Sequence, residues 1–151
     1  MKKIFLSLAI VLAVFSSAFA HAPSSANDRA AASFKKDFHK ASEVSWVVTA
    51  NYVQAKFQLD KETMFAYYDF DGNLIGVIHH ILTTDLSTHL QKDIKKNYAS
   101  YWVSELFKVT SEQGDNYFIQ LKNADETIVL TSDGSSDWHK YALPKNTIEK
   151  L

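Results

Sequence analysis

The residues best suited to metal binding are six histidines spread along the chain. His79 and His80 are adjacent, and adjacent residues of a strand point to opposite faces, so these two side chains do not share one ion. No two histidines have the i, i+4 spacing of a helical zinc site. The absence of cysteine excludes thiol nucleophiles and thiolate metal ligands. We therefore expect neither a metal site nor a bound cofactor.

The acidic segment Asp69–Asn73 contains the residue types of a calcium loop. An EF-hand loop has glycine at its sixth position and glutamate at its twelfth. Counted from Asp69, the glycine here is the fourth residue and the twelfth is His80. Gly and Asn tolerate the backbone angles of tight turns, so Asp71-Gly72-Asn73 instead predicts a hairpin with a two-residue loop.

The sequence motifs of common catalytic sites are also missing. The chain contains no G-x-S-x-G, no phosphate-binding loop, no dinucleotide-binding glycine turn and no H-E-x-x-H. With no catalytic residue to name, we predict that the protein is not an enzyme. A dispersed arrangement of Asp, His and Tyr is the alternative.

The N-terminus has the three parts of a secretory signal peptide. Lys2 and Lys3 precede the apolar run Ile4–Phe15, and Ala18-Phe19-Ala20 supplies the small residues of a cleavage site. The apolar run is shorter than the ~20 residues that span a bilayer. We predict cleavage after Ala20, release into the periplasm or the cell exterior, and no membrane span in the mature chain. An uncleaved N-terminal anchor is the alternative.

The composition of the mature chain fits one small domain. Removing residues 1–20 leaves 131 residues, with 14 basic and 17 acidic side chains and a net charge of −3. This charge is too weak and too mixed to predict binding to nucleic acid or to an anionic membrane. The length is sufficient to bury one hydrophobic core.

Hydrophobic spacing divides the chain into two similar halves. Ala31, Phe34, Phe38 and Ala41 predict a helix over residues 28–42, and Leu86, Leu90 and Ile94 predict a second helix from about Thr84 to Tyr98. Predicted strands cover residues 53–59, 63–70, 74–81, 101–109, 116–122, 126–131 and 138–142. Residues 21–27 are predicted to be a flexible leader, 28–144 the domain and 145–151 a frayed tail.

Matching positions in the two halves lie a constant distance apart. The interval is 62 residues for Phe57 and Ile119, Leu59 and Leu121, Asp71 and Asp133, and Gly72 and Gly134. This repetition predicts a tandem duplication of a helix followed by hairpins. Chance similarity between two antiparallel meanders is the alternative.

A helix, a tryptophan and a hairpin follow one another in an order known from one family. They are Phe34-Lys35-Lys36-Asp37-Phe38, then Ala41, Val44 and Trp46, then Tyr52, Phe57 and Tyr68-Asp69-Phe70-Asp71-Gly72-Asn73-Leu74. Over residues 33–141 the chain resembles the PepSY-like, β-lactamase-inhibitor-like family of exported bacterial proteins. Two positions depart from the family pattern, since His39 and Ser87 stand where proline is frequent.

This resemblance implies an α+β fold, with two helices packed on one face of an antiparallel sheet. It also implies a protein that binds other proteins, because some relatives inhibit peptidases or β-lactamases. It offers no catalytic residues.

The predicted hairpin also assigns strand residues to two faces. With a two-residue loop, even-numbered residues before Gly72 share a face with odd-numbered residues after it. The predicted core face carries Val53, Ala55, Phe57, Leu59, Met64, Ala66, Tyr68, Ile75 and Val77. The other face is half polar, so we expect it to be partly exposed to water, and its candidate partner-binding residues are Tyr52, Lys56, Phe65, Tyr67, Leu74, Ile78 and His80.

Aromatic residues among polar ones are typical of protein interfaces. We therefore predict an exported, non-enzymatic module that binds an envelope or secreted protein through this face, with inhibition of a peptidase-like target as one form of binding. Aromatic pairs that only stabilise the sheet are the alternative for the face. The alternatives for the protein are a carrier or sensor of a small apolar ligand, and an enzyme of unrecognised type.

Overall fold

The structure of the protein, a computed structural model, describes residues 24–141, with side chains from Asn27 onward. The elements are α1 (Ser24–Asp37), β1 (Ser42–Val48), β2 (Val53–Leu59), β3 (Glu62–Tyr68), β4 (Leu74–His80), a 3₁₀ turn (Thr83–Asp85), α2 (Thr88–Asn97), β5 (Trp102–Ser111), β6 (Gly114–Lys122), β7 (Thr127–Ser132) and β8 (His139–Lys140). Strands β1 to β4 pair antiparallel in chain order, and so do strands β5 to β8. The predicted signal peptide, its cleavage site and the predicted tail lie outside the described residues.

The chain divides into two units, residues 1–79 and 80–151. Within the described residues, the first unit holds α1 and the strands up to β4, and the second holds α2 and β5–β8. The predicted fold class, with two helices, an antiparallel sheet and two helix-plus-hairpins units, is confirmed. None of the described helices has the length and apolar character needed to cross a bilayer.

The core of the first unit is aromatic and lies between α1 and the strands. Phe34 lies on α1 with its ring centroid 4.9 Å from that of Phe57 and 5.4 Å from that of Trp46. Ala30 and Phe34 of α1 and Phe38, the residue after the helix, follow at helical spacing, so one stripe of side chains covers the sheet.

The bounds of α1 differ from those that the sequence predicts. The helix includes residues 24–27, predicted to be part of the leader, because no glycine or proline interrupts Ser24–Asp37. The helix ends at Asp37 and not at the predicted Ser42. The Ala41 amide donates to the Phe38 carbonyl (3.0 Å) in a turn that leads into β1. The strand β1 itself was not among the predicted strands, and its pairing with β2 shifts between Ser42 and Ser45, around Glu43 at φ 52°.

The loop between β3 and β4 has an odd length, and this corrects the predicted hairpin. The Gly72 amide donates to the Asp69 carbonyl (3.1 Å), and the Asp69 amide donates to the Asn73 carbonyl (3.0 Å). Asp69 and Asn73 are the last hydrogen-bonded pair before the turn, so Phe70-Asp71-Gly72 form the loop. Such a loop needs a residue at positive φ, and Gly72 has φ 84°. Tyr68 therefore pairs with Leu74. A β-bulge at Ile75 then restores the predicted alternation of the two faces, beginning with the pair of Tyr67 and Gly76.

The core of the second unit is mainly aliphatic. Leu86 and Leu90 pack with Ile119, Leu121 and Leu130 from the strands. Ser87 caps α2, since its hydroxyl accepts from the Leu90 amide (3.4 Å).

Candidate binding faces

Each unit has a sheet face turned away from its helix, which we call its non-helix face. In the first unit, Val53, Ala55 and Phe57 of β2 belong to the core under α1, so the alternate residues of β2 lie on the non-helix face. The register adds their cross-strand neighbours: the non-helix face carries Ser45, Val47, Gln54, Lys56, Gln58, Thr63, Phe65, Tyr67, Gly76 and Ile78.

Part of this face is a packed layer rather than an accessible surface. Tyr67 and Ile78 lie on the predicted face but are only 1% and 6% exposed. Tyr52 is also buried, and its ring centroid lies 5.3 Å from that of Tyr67. The Tyr67 hydroxyl accepts from Gln54 Nε2 (2.8 Å). Burial raises the pKa of Tyr67 far above its ordinary value, although the Gln54 hydrogen bond opposes the shift.

The expectation that the candidate residues of this face are partly exposed to water is therefore wrong for Tyr52, Tyr67 and Ile78. Tyr67 is therefore held by the Tyr52 ring and by Gln54 and is not free to meet a partner. Lys56 and Phe65 do reach the surface: they are directly opposite each other on β2 and β3, with Lys56 exposed and Phe65 half-buried. Val47 on β1 is 41% exposed on the same face.

Two candidate residues lie elsewhere. Leu74 packs against the core under α1, because the odd-length loop places it opposite Tyr68, so its predicted position on the non-helix face is wrong. His80 belongs to the second unit, where its Nδ1 lies 3.6 Å from Glu105 Oε2 and its ring centroid 6.3 Å from that of Phe107.

The non-helix face of the second unit contains an aromatic stack. Phe107 and Phe118 are cross-strand neighbours with ring centroids 5.5 Å apart and planes 11° apart. Tyr141 meets Phe118 edge to face at 5.6 Å. Phe118 is 1% exposed, so this stack is also packed rather than open.

Trp102, at the start of β5, is the accessible aromatic residue of this second face, with 56% of its surface exposed. It pairs with Lys122 of β6, whose neighbour on the same face, Gln120, accepts from the Ser104 hydroxyl through Oε1 (2.8 Å). The sequence reasoning did not single out Trp102, because it assigned faces only in the first half. Alternation of faces along β5 would have placed Trp102 with the core residue Leu106, and the register shift between Val103 and Glu105 moves it to the other face.

The described residues offer little for chemistry. No group of three or more His, Cys, Asp or Glu side chains within residues 24–141 is placed to hold a metal ion. Polar groups of the non-helix faces bond to one another, as Gln54 does with Tyr67 and Ser104 with Gln120.

Solved structures share this fold, whereas no protein-family model and no curated protein match the chain. A BLIP-like protein from Bacteroides fragilis superposes with a TM-score of 0.69 and 14% identity, over 81% of this chain and 87% of that one. A DUF2874 family protein from Bacteroides uniformis gives 0.69 and 12%, over 80% and 90%. A protein described as a candidate periplasmic protein from Bacteroides eggerthii gives 0.68 and 12%, over 81% and 89%.

At these identities the likeness concerns the fold. It supports the β-lactamase-inhibitor-like part of the family resemblance, and the PepSY-like part stays a prediction. The chain thus has a BLIP-like α+β fold.

Proposed function

We propose that the protein is an exported, non-enzymatic module that binds an envelope or secreted protein through the non-helix face of its first unit. The BLIP-like fold of the solved neighbours supports protein binding, and the neighbour described as a candidate periplasmic protein supports export. Binding of this kind inhibits a target when the covered surface includes the target's active site.

The observation that carries the proposal is the pair formed by Lys56 and Phe65. A half-buried aromatic ring beside a flexible lysine, on a face that α1 does not cover, offers an apolar anchor with a polar rim. Tyr67 and Ile78 are buried beside Phe65 on the same face, and such fixed neighbours reduce the entropy that the anchor loses on binding. Of the seven residues that the sequence nominates, Lys56 and Phe65 are therefore the direct contacts in our proposal.

Site-specific photocrosslinking tests this proposal. A photoreactive phenylalanine analogue replaces Phe65 in the full chain, expressed in the cells that produce the protein, and adducts are identified after irradiation. We expect one discrete protein adduct, which disappears when the unlabelled wild-type chain is present in excess.

The matched control places the same analogue at Lys36, which is exposed on α1. A partner bound to the non-helix face gives no adduct there. Equal adducts at both positions, or none at Phe65, would refute the proposed face.

A further inference from the structure

The first strand of the first unit, β1, has a free edge. Within residues 24–141 it pairs with β2 alone. Unpaired edges present amides and carbonyls to other strands, and proteins usually protect them with short strands, lysine or proline. In the second unit, β8 is both short and charged, since it consists of His139–Lys140. By contrast, β1 has seven residues and neither lysine nor proline, and the irregularity between Ser42 and Ser45 leaves Ser45–Val48 in regular pairing.

The register of β1 identifies the backbone groups that are free. The Thr49 amide donates to the Tyr52 carbonyl (2.9 Å), so these two residues are a hydrogen-bonded pair. Such pairs alternate along an antiparallel ladder, so the backbone of Val47 bonds to β2, whereas the backbones of Trp46 and Val48 do not. The amides and carbonyls of Trp46 and Val48 therefore point outward, toward the position of a further strand.

The exposed apolar surface of the first unit lies on this same strand. In the described part of that unit, the large apolar side chains that are exposed are Val44, at 38%, and Val47, at 41%. Val47 lies on the non-helix face, opposite Gln54. Trp46 and Val48, on the other face, are half-buried against the aromatic core. An added strand would thus meet apolar side chains on both of its faces.

A second copy of β1 is complementary to this edge. Around a two-fold axis at Val47, antiparallel pairing joins Trp46 of each copy to Val48 of the other through four backbone hydrogen bonds. Val47 then faces Val47 across the axis in a non-hydrogen-bonded pair, the closer kind, so that each exposed valine covers the other. Glu43 is the single charged residue of β1. In this register it lies opposite the neutral Asn51 of the other copy, so no like charges meet.

We propose that the protein forms a two-fold dimer in which the β1 strands of two copies pair antiparallel around Val47. A second copy fits the edge because it supplies free backbone groups in matching positions, apolar side chains on both faces and no opposing charge. Four hydrogen bonds and two valines make a small interface, so the dimer is weak and depends on concentration. Phe65 lies two strands away on β3, so this inference goes beyond the proposed function and does not depend on it.

Cysteine crosslinking tests the position of the axis, because the chain has no native cysteine. In the full chain, Val47→Cys should form a disulfide-linked dimer under mild oxidation. Its Cβ lies directly opposite its counterpart, about 4.5 Å away and within reach of a disulfide. Ser45→Cys is the matched control on the same strand and face. Its counterpart lies four residues along the pair, about 13 Å away, so it should not crosslink.

Sedimentation measures the association without a crosslink. The average mass of the wild-type chain should rise toward twice the monomer mass as the concentration increases. Val47→Lys should raise the dissociation constant of the dimer at least about tenfold, because two lysines then lie directly opposite each other. Val103→Lys makes the same change at a strand valine of similar exposure, 37%, in the second unit, and should leave the constant unchanged.

Amide exchange identifies the paired edge. The amides of Trp46 and Val48 should exchange more slowly as the concentration rises. The Val47 amide, which bonds to β2 in both states, should change little. Slow exchange of Trp46 and Val48 at every concentration, in a chain that sediments as a monomer, would overturn the dimer. A segment outside residues 24–141 would then cover the edge.

Equal crosslinking of Val47→Cys and Ser45→Cys, or equal association of Val47→Lys and Val103→Lys, would also overturn the proposal. A third contrary result is a monomer whose edge amides exchange fast until envelope extract is added, which would assign the edge to a different protein. Phe65→Ala should leave the dimer unchanged, so the failure of the proposed function and the failure of the dimer are distinguishable.

Discussion

Asp69 organises the loop between β3 and β4 through its carboxylate. Its Oδ1 accepts from the amides of Asp71 (2.9 Å) and Asn73 (2.8 Å), and Oδ2 accepts from the Asn73 side chain (2.9 Å). Burial raises the pKa of Asp69, but these hydrogen bonds outweigh it and hold the pKa below the ordinary value of 3.8. In the second unit, hydrogen bonds from Ser135 and Ser136 lower the pKa of Asp133. Both loops therefore depend on an ionised aspartate.

We expect acid to destabilise the fold through these loops. A carboxyl whose pKa is lower in the folded state contributes its full stability above its unfolded pKa, here about 3.8, and loses it as the pH falls through the folded value. The melting temperature should therefore fall as the pH is lowered below about 4. Asp69→Asn should melt lower than wild type at neutral pH and show a shallower fall in acid. Identical slopes for the two proteins would show that Asp69 is not linked to folding.

Gly72 is required by both its conformation and its surroundings. A Cβ at this position would lie 2.9 Å from the carbonyl oxygen of Arg29 on α1, and the residue has φ 84°. Arg29 is held against the same loop, because its Nε donates to the Phe70 carbonyl (2.8 Å).

Alanine at Gly72 should thus be more costly than alanine at Gly114, which has φ 110° but open space around it. We expect Gly114→Ala to reduce the free energy of unfolding by about 1–2 kcal/mol, the cost of left-handed backbone. Gly72→Ala should lose at least about 1 kcal/mol more, because a backbone atom must move to accept the methyl group. Urea unfolding of the two variants measures the difference, and equal losses would mean that α1 shifts freely.

At the scale of elements, hydrophobic spacing was sufficient to predict both helices and most strands, but not the local irregularities. Phe34 and Leu90 are buried at the helical spacing that the sequence shows. The bulge at Ile75 could not be predicted, because it compensates a loop whose length depends on hydrogen bonds to Asp69. Face positions were partly predictable: alternation along the strands placed Phe65 on the non-helix face, but the burial of Tyr67 depends on side chains brought together by the fold.

The contact between α2 and the segment before β8 depends on one buried carboxylate. Asp93 is 7% exposed, and its Oδ2 accepts from the Trp138 amide (2.9 Å) while Oδ1 accepts from Asn97. The Trp138 indole donates to the Leu90 carbonyl (3.2 Å). The segment that carries β8 is therefore attached to the helix by polar as well as apolar contacts.

Replacement of Asp93 should release this segment. Asp93→Ala leaves the buried Trp138 amide without an acceptor, so we expect a loss of about 2–3 kcal/mol of unfolding free energy and a red shift in tryptophan fluorescence. Asp93→Asn keeps an acceptor oxygen and should lose less. Asp85→Ala, in the exposed 3₁₀ turn, is the control for removing a carboxylate near α2. A loss no larger for Asp93→Ala than for Asp85→Ala would contradict the role of this contact.

At the scale of the molecule, one plan is built twice with different side chains. Phe34, Phe57 and Tyr68 are core residues of the first unit, whereas Leu90, Ile119 and Leu130 are core residues of the second. Either set can fill the space between a helix and a sheet, because a core requires apolar volume more than particular residues. The same tolerance explains how solved structures with 12–14% identity share this fold.

Stability of the whole molecule should be independent of metal. Its cores are apolar, and within residues 24–141 no set of ligands is grouped to bind an ion in the folded state. Thermal melting with and without a strong chelator should give superimposable curves. A fall of several degrees in chelator would reveal a site that these residues do not show.

The meander in each unit also has a kinetic consequence. Each strand pairs with the strand next to it in the chain, from β1 to β4 and from β5 to β8, so no pairing within a unit requires closure of a long loop. Loop closure is the entropic barrier that slows most β-proteins, and folding rates rise as contacts become more local. Refolding of each unit should therefore be fast for a sheet of its size, and little time should be spent with strand edges exposed to other chains.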